Sequence, residues 1–294
     1  MKSAGTAAAT VAAVLRPATP ADTDAVVALA HAEEVAWFGV AESSHEEIAH
    51  YLRFSGGVES GVVVDDGRVR AFALVTSTAE GVVILDPADP APPLTAVYAW
   101  VRENGARHLE VQPRDADRIA WLVADGWTHT RSVFDLTMPT DAPLLGTEPV
   151  WPAGVALRPY DRGPDDAAVH HLIYVEADYA SVPGHHDRPL EMWQQMHTAE
   201  NTRGWVVHRD GRPVGWIVGR VQDDGYGWVH QLAVATSERG AGLGRALLLH
   251  SFAGLVAEGA EHLGLTVQAS NDRAIGLYRS VGLTVQKEWL VLTR

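Results

Sequence analysis

Trp228-Val229-His230-Gln231-Leu232-Ala233-Val234, running into Arg239-Gly240-Ala241-Gly242-Leu243-Gly244 and then Arg245-Ala246-Leu247-Leu248-Leu249, is the stretch from which the rest of the chain is read. Its first segment is apolar and β-prone, its second supplies glycines, and its third starts a helical run that stays apolar to Leu255 and Val256. A strand that turns through glycines into a helix N-terminus leaves several backbone N–H groups unpaired, where the helix dipole also favours negative charge. The stretch therefore predicts a phosphate cradle. Glycine suits it because a side chain would block the approach of an anion and because such turns call for positive φ.

What is missing narrows the type of cradle. A Walker loop needs Gly-Lys-Ser/Thr, and this one ends Gly244-Arg245-Ala246. A dinucleotide fingerprint needs a third glycine where Arg245 stands, and an acidic residue at the end of the next strand, where the chain has Gln268, Ala269 and Ser270. What remains is Arg-x-x-Gly-x-Gly between a strand and a helix. A second pattern follows it: Leu263-Gly264-Leu265-Thr266-Val267 reads as a strand, and Asn271-Asp272-Arg273-Ala274-Ile275-Gly276-Leu277-Tyr278-Arg279-Ser280-Val281-Gly282-Leu283 as a helix and its exit.

In order and in context, the two segments resemble the GNAT superfamily of N-acetyltransferases, with its Q/R-x-x-G-x-G/A and N-x-x-A-x-x-L-Y-x-x-x-G-F signatures; Leu283 stands for the usual Phe. The resemblance implies acetyl-CoA as co-substrate, its pyrophosphate on the N–H groups of Arg239, Gly240, Ala241, Gly242, Leu243 and Gly244, with Arg245 and Asn271 in the same cofactor site. It also implies a pantetheine arm paired with the backbone around Leu232, Ala233 and Val234, and an oxyanion held by a backbone N–H near Leu232 or Ala233. Direct acyl transfer to an amine needs a proton donor for the departing thiolate, and Tyr278 matches the family's general acid. A phenol of ordinary pKa about 10 can donate to a thiolate of about 8.5 within hydrogen-bond reach. The alternative is a tyrosine on the buried face of a helix beside Ile275 and Leu277. His230 shares a strand face with Trp228 and Leu232 by the period of two and matches the catalytic base of arylalkylamine N-acetyltransferases. Other members use a glutamate on the neighbouring strand or no residue, which leaves His230 the role of shaping the pocket.

A chain of 294 residues suggests two domains, and 47% hydrophobic with 20% charged residues is ordinary globular material without an apolar run of membrane-spanning length. Cysteine is absent, which removes disulfides, thiolate nucleophiles and cysteine-ligated metals. Met1 to Leu15 lacks the apolar core of a signal peptide, so a cytoplasmic protein is expected. A formal charge of −14 argues against nucleic acid, whose binding depends on neutralising phosphates. No H-x-x-x-H or H-E-x-x-H spacing is present among the 14 histidines, so no metal is expected.

The chain also repeats itself. Arg16-Pro17 followed by Asp22 matches Arg158-Pro159 followed by Asp165, and the Asp66-Gly67 hairpin matches Asp210-Gly211. Gly105 to Leu109 matches Gly259 to Leu263, and Ile119 to Gly126 matches Ile275 to Gly282. The first copy is shorter by about a loop. Where the second copy has its cradle, the first has Asp86-Pro87-Ala88-Asp89-Pro90-Ala91-Pro92-Pro93, whose prolines offer no N–H and whose aspartates repel phosphate; at the position of Tyr278 it has Leu122. The reading is an α/β (α+β) protein of two GNAT-like domains, each a mixed twisted β-sheet flanked by helices. Residues 12–139 form a degenerate copy that completes or covers the acceptor pocket, 140–154 a Pro/Gly-rich linker, and 155–294 the catalytic copy. The tandem arrangement resembles the mycothiol synthase type.

The expected partner is a small-molecule amine acceptor, with no nucleic acid and no membrane, in a monomer or homodimer. Glu176, Asp178, Tyr179 and His185-His186 fall where the family has a loop covering the substrate, and Trp228 and Trp193 are candidates for the pocket wall. The rival reading is a non-catalytic acyl-CoA-binding or regulatory protein.

Overall fold

The computed structural model describes residues 14–45, 48, 49, 52, 59–65, 67–76, 79–88, 91–182, 187–195, 201–222 and 224–294. By internal contacts the chain forms two compact units, one running to His129 and taking back Val291–Arg294, the other Thr130–Leu290.

Unit 1 contains β1 (Val14–Pro17), α1 (Thr23–Phe38), β2 (Glu59–Asp65), β3 (Arg68–Val75), β4 (Glu80–Leu85), α2 (Ala91–Glu103), β5 (His108–Val111) and α3 (Ala116–Ala124). Its strands lie in the order β1-β2-β3-β4-β5, antiparallel up to β4 and parallel between β4 and β5, the pair that α2 connects. Ala71 to Val75 of β3 are buried without alternation, as expected of a central strand covered on both faces. Val26, Leu29, Val62, Phe72 and Leu74 form the core beside it.

Unit 2 opens with β6 (Thr128–Pro139), followed by β7 (Val155–Pro159), α4 (Asp166–His171), a π-helical turn (Leu172–Glu176), α5 (Leu190–Gln195), β8 (Arg203–Arg209), β9 (Arg212–Val221), β10 (Tyr226–Val234), α6 (Leu243–Ala257), β11 (His262–Gln268), α7 (Asp272–Ser280) and β12 (Thr284–Thr293). Its strand order is β12-β6-β11-β10-β9-β8-β7. The β8–β9 hairpin turns at Asp210 and Gly211, both at positive φ, which an Asp-Gly pair tolerates; in the matching β2–β3 hairpin Gly67 is at positive φ and Asp66 lies outside the described residues. Trp216, Ile217, Leu247, Leu248, Phe252 and Leu263 are fully buried at its centre.

The repeat survives as chemistry. Arg16 grips Asp22 with two guanidinium nitrogens at 2.6 and 2.8 Å, and Arg158 grips Asp165 at 2.5 and 2.6 Å, each pair tying a first strand to the start of a first helix. Both aspartates are held below the ordinary carboxylate range, first by those hydrogen bonds.

The last strands depart from chain order. β6 follows α3 in sequence, yet its second half pairs antiparallel with the whole of β11, from His262↔Pro139 to Gln268↔Val133. Asp135 on β6 accepts from Thr266 Oγ1 at 2.7 Å and from Trp289 Nε1 at 2.8 Å, stitching β11 and β12 to it. In unit 1 the amide of Arg294 donates to the carbonyl of Arg107 just before β5. The repeat boundaries read from the sequence follow the chain, whereas the compact units follow strand pairing, and the two divide the chain at different residues.

Candidate active site

β10 and β11 pair in parallel only from Tyr226↔His262 to Val229↔Leu265. Beyond that they part, β10 staying with β9 and β11 staying with β6. A β-bulge accompanies the parting: Val229 faces Gly219 and Gln231 faces Val218, which makes His230 the extra residue. The amide of Ala235 donates to Val214 on the β9 side at 2.9 Å. By the alternation of a strand, Ala233 points the same way, and Leu232 and Val234 turn their backbone groups to the side that β11 has left. The gap holds a cavity of about 770 Å³, lined on one wall by His230, Leu232, Ala233 and Val234, on the other by Thr266, Val267, Gln268 and Val133, and closed by Tyr179, Ala274, Leu277 and Tyr278.

The glycine loop forms one end of this space. Gly240 and Gly242 have φ of +85° and +87°, and a Cβ at either would meet nothing within 4 Å, so here glycine is required by conformation. Gly242 occupies the N-cap of α6 without any side-chain cap, and the first intrahelical bond runs from Ala246 N–H to its carbonyl. The amides of Leu243, Gly244 and Arg245 belong to the first turn, which leaves them for an outside acceptor. Gly244 serves a different purpose: its φ is not positive, and a Cβ would press on Leu277 at 3.3 Å. Gly240, Gly242, Leu243, Gly244, Arg239 and Arg245 all line the cavity; Ala241 is exposed and does not.

Side chains brace the loop. Arg209 holds Glu238 through two nitrogens at 2.8 and 3.1 Å, and Arg239 donates to the carbonyl of Ala177, directly after the π-helical turn. Partial burial lowers the Arg239 pKa, and the like charge of Arg273 adds to it. Arg273 lines the cavity without having been singled out, because it falls on an unspecified position between Asn271 and Ala274 of the motif.

Tyr278 lines the cavity from α7. Burial pushes the phenol pKa up, and the Tyr179 phenol adds to the shift, so the protonated form is favoured. Asn271 lines the cavity, but its side-chain oxygen is committed to capping α7, accepting from Ala274 N–H at 3.1 Å. Tyr179 is part of the wall, its phenol pushed up by burial against the opposing hydrogen bond of Gln231. Trp193 is core: its Nε1 donates to the buried Gln231 at 3.2 Å. Trp228 packs over Gly264, where a Cβ would fall 2.2 Å from the indole. Neither tryptophan lines the cavity, and neither does Glu176, which pairs with His171 at 3.6 Å, nor Asp178. His185 and His186 lie outside the described residues.

Unit 1 shows the same strand edge with other company. Asp86 N–H donates to Arg70 on the β3 side, so Leu85 faces the β5 side as Val234 faces the β11 side. The Leu85 amide is taken by Glu33 Oε1 at 3.1 Å, which also accepts from Arg118 Nη2 at 2.6 Å. Arg118, 6% exposed and bonded in turn to Asp115, stands where the second copy has Ala274, and Leu122, where it has Tyr278, is fully buried. A carboxylate of the chain itself, held by a buried guanidinium, thus takes the Leu85 amide at the edge that unit 2 leaves open. Among the described residues there is no cluster of three metal-ligating side chains, and no helix is long and apolar enough to cross a membrane.

Residues 168–283 match the model of the Acetyltransferase (GNAT) family. The mycothiol acetyltransferase of Thermobispora bispora is 30% identical over 90% of this chain and 94% of its own length. In fold, the chain is similar to a GCN5-related N-acetyltransferase from Sphaerobacter thermophilus, with a TM-score of 0.82 at 23% identity over 96% of this chain and 95% of the other. It is also similar to a tandem GNAT protein from the clavulanic acid biosynthesis pathway, with a TM-score of 0.73 at 17% identity over 96% and 98%.

Proposed function

The chain belongs to the acetyltransferase (GNAT) family and is an acyltransferase, and from that premise we propose that unit 2 acetylates the primary amine of a small molecule by direct transfer, with Tyr278 as general acid. The observation that carries this reading is that one cavity of about 770 Å³ is lined by the open edge of β10, the glycine loop at the start of α6 and Tyr278.

Acetyl-CoA supplies an activated thioester with a thiolate as leaving group. The free amides of Leu243, Gly244 and Arg245, with Gly240 and Gly242 carrying no side chain, fit its pyrophosphate. The backbone of Leu232 and Val234 fits the amides of its pantetheine arm. The Leu232 N–H is the donor for the charge that develops on the carbonyl oxygen, since Ala233 is turned to β9. Tyr278 gives its proton to the departing sulfur. His230, pushed into the cleft by the bulge, takes the proton of the attacking amine.

The name of the relatives favours an amino-sugar thiol precursor of the mycothiol type as acceptor. The lining agrees better with a polar neutral scaffold than with a polycation, because its only carboxylate among the described residues, Glu238, is held by Arg209. Release of free thiol from acetyl-CoA across a panel of amino-sugar thiols, aminoglycosides, polyamines and amino acid amides tests the reading. Turnover concentrated in the first class is expected. Tight acetyl-CoA binding without turnover of any amine would leave a regulatory acyl-CoA-binding protein instead.

A further inference from the structure

We infer that the Arg239 side chain is a positioning residue for the acceptor: by holding the carbonyl of Ala177 it fixes the turn that sets Tyr179 into the cavity wall, and affinity for the amine depends on that turn. The inference rests on the acyl-transfer reading of unit 2. Arg239 opens the glycine loop and lines the cavity, yet its Nη2 donates to another element, at the carbonyl of Ala177. Ala177 is 3% exposed, and its amide closes the π-helical turn onto Leu172 at 2.7 Å. A buried carbonyl at the end of such a turn finds no partner inside it, and a guanidinium is a strong donor to supply one. One residue on, Asp178 has a φ of +51°, a left-handed conformation that aspartate tolerates without preferring it, so it needs holding from outside. The chain leaves Asp178 in a short 3₁₀ turn, Tyr179–Ser181, with Ser181 Oγ donating to the Asp178 carbonyl at 2.7 Å. Tyr179, Ser181 and Val182 then line the cavity. The phenol of Tyr179 is bonded to Gln231, the neighbour of His230, which places it beside the proposed reacting groups and not at the glycine-loop end. The matching helix of unit 1, α1, runs through 16 residues to Phe38 with no such break. The break in the first helix thus accompanies the glycine loop, and Arg239 joins the two.

The two sides of the cleft should respond differently to the loss of this guanidinium. The conformation of the cradle is set by Gly240 and Gly242, and its anion donors are backbone amides, so neither needs the Arg239 side chain. The turn at Asp178 does need it, because without the bond to Ala177 the aspartate is free to return to the ordinary helical region and carry Tyr179 with it. The amine side should therefore weaken while the cofactor side holds.

Thiol release is followed with acetyl-CoA and the probe amines glucosamine, L-alaninamide, tyramine and spermidine, and acetyl-CoA affinity is measured by calorimetry. Arg239→Met keeps most of the side chain's length and removes its donors. For each probe that the wild type turns over, it should raise the amine KM about fivefold or more, while kcat and acetyl-CoA affinity stay within about twofold. Arg239→Lys, which keeps one charged donor, should lose less. Adding Asp178→Gly to Arg239→Met should recover part of the loss, because glycine takes the left-handed conformation without support. A direct contact of Arg239 with amine or phosphate would gain nothing from that glycine. An unchanged amine KM in Arg239→Met, a loss of acetyl-CoA affinity as large as the rise in KM, or no recovery with Asp178→Gly would each overturn the inference. If Arg239→Met does not fold, the same three outcomes are read in Arg239→Lys. A wild type that turns over none of the probes or the acceptor panel would instead sink the acyl-transfer reading, and this inference with it.

Discussion

At the scale of single residues, the proposed chemistry divides between a buried phenol and a histidine carried into the cleft by a bulge. Tyr278→Phe keeps the ring and deletes the proton, so kcat should fall by roughly 10²-fold with acetyl-CoA affinity unchanged. Because burial raises the phenol pKa, the hydroxyl stays protonated further into alkaline solution than an ordinary tyrosine, and kcat of the wild type should hold up to at least about pH 10. Wild-type turnover in the phenylalanine variant would make the tyrosine structural. For His230, deprotonation of the amine predicts that the acid limb of kcat/KM against pH disappears in His230→Gln. A limb that survives there would assign the base to water or to another group. Tyr278 was legible in the sequence because it falls on a motif position. The place of Arg273 in the cavity wall was less so, since an arginine on an unspecified motif position carries no signal until neighbours surround it.

At the scale of elements, the decisive piece is β6. It lies in the first repeat by sequence, but Leu136 and Met138 are 0% and 3% exposed in the core of unit 2, and Val133 forms part of the cavity wall. A protein trimmed to residues 155–294, the catalytic copy by sequence, would lose those two buried side chains, at about 1.5–3 kcal/mol each, and would bare the whole edge of β11. It should aggregate or fail to melt cooperatively in circular dichroism, whereas residues 128–294 should give a cooperative transition. A monomeric, cooperatively melting 155–294 would show that β6 is dispensable. The hairpins and the cradle helix, by contrast, were legible, because Asp-Gly turns and the glycine positions at α6 depend on backbone conformation alone.

At the scale of the whole molecule, two copies of one fold are expected to bind one cofactor. In unit 1 the open strand edge is closed by Glu33 on the Leu85 amide, with Arg118 paired to the same carboxylate, and the position of the acid is Leu122. Calorimetric titration with acetyl-CoA should give a stoichiometry near one per chain. Gly242→Glu, which puts a charge and a side chain at a positive-φ position of the cradle, should weaken binding at least tenfold, about 1.4 kcal/mol. Two equivalents, one of them surviving that substitution, would show that unit 1 has an anchor of its own.

The sequence by itself determined what is local in the chain: the glycine turn into α6, the motif tyrosine on α7, and the matching Arg-Pro and Asp positions of the two copies. Backbone conformation and side-chain chemistry at fixed spacing are enough for these. The tertiary structure decided where strands part and which strand lies beside which. Pairing of β6 with β11, the bulge at His230 and the closure of the Leu85 amide by Glu33 all join residues distant in sequence. Such contacts form because edges and polar groups must find partners in space, and an apolar strand segment such as β6 has the same pattern whichever sheet it completes.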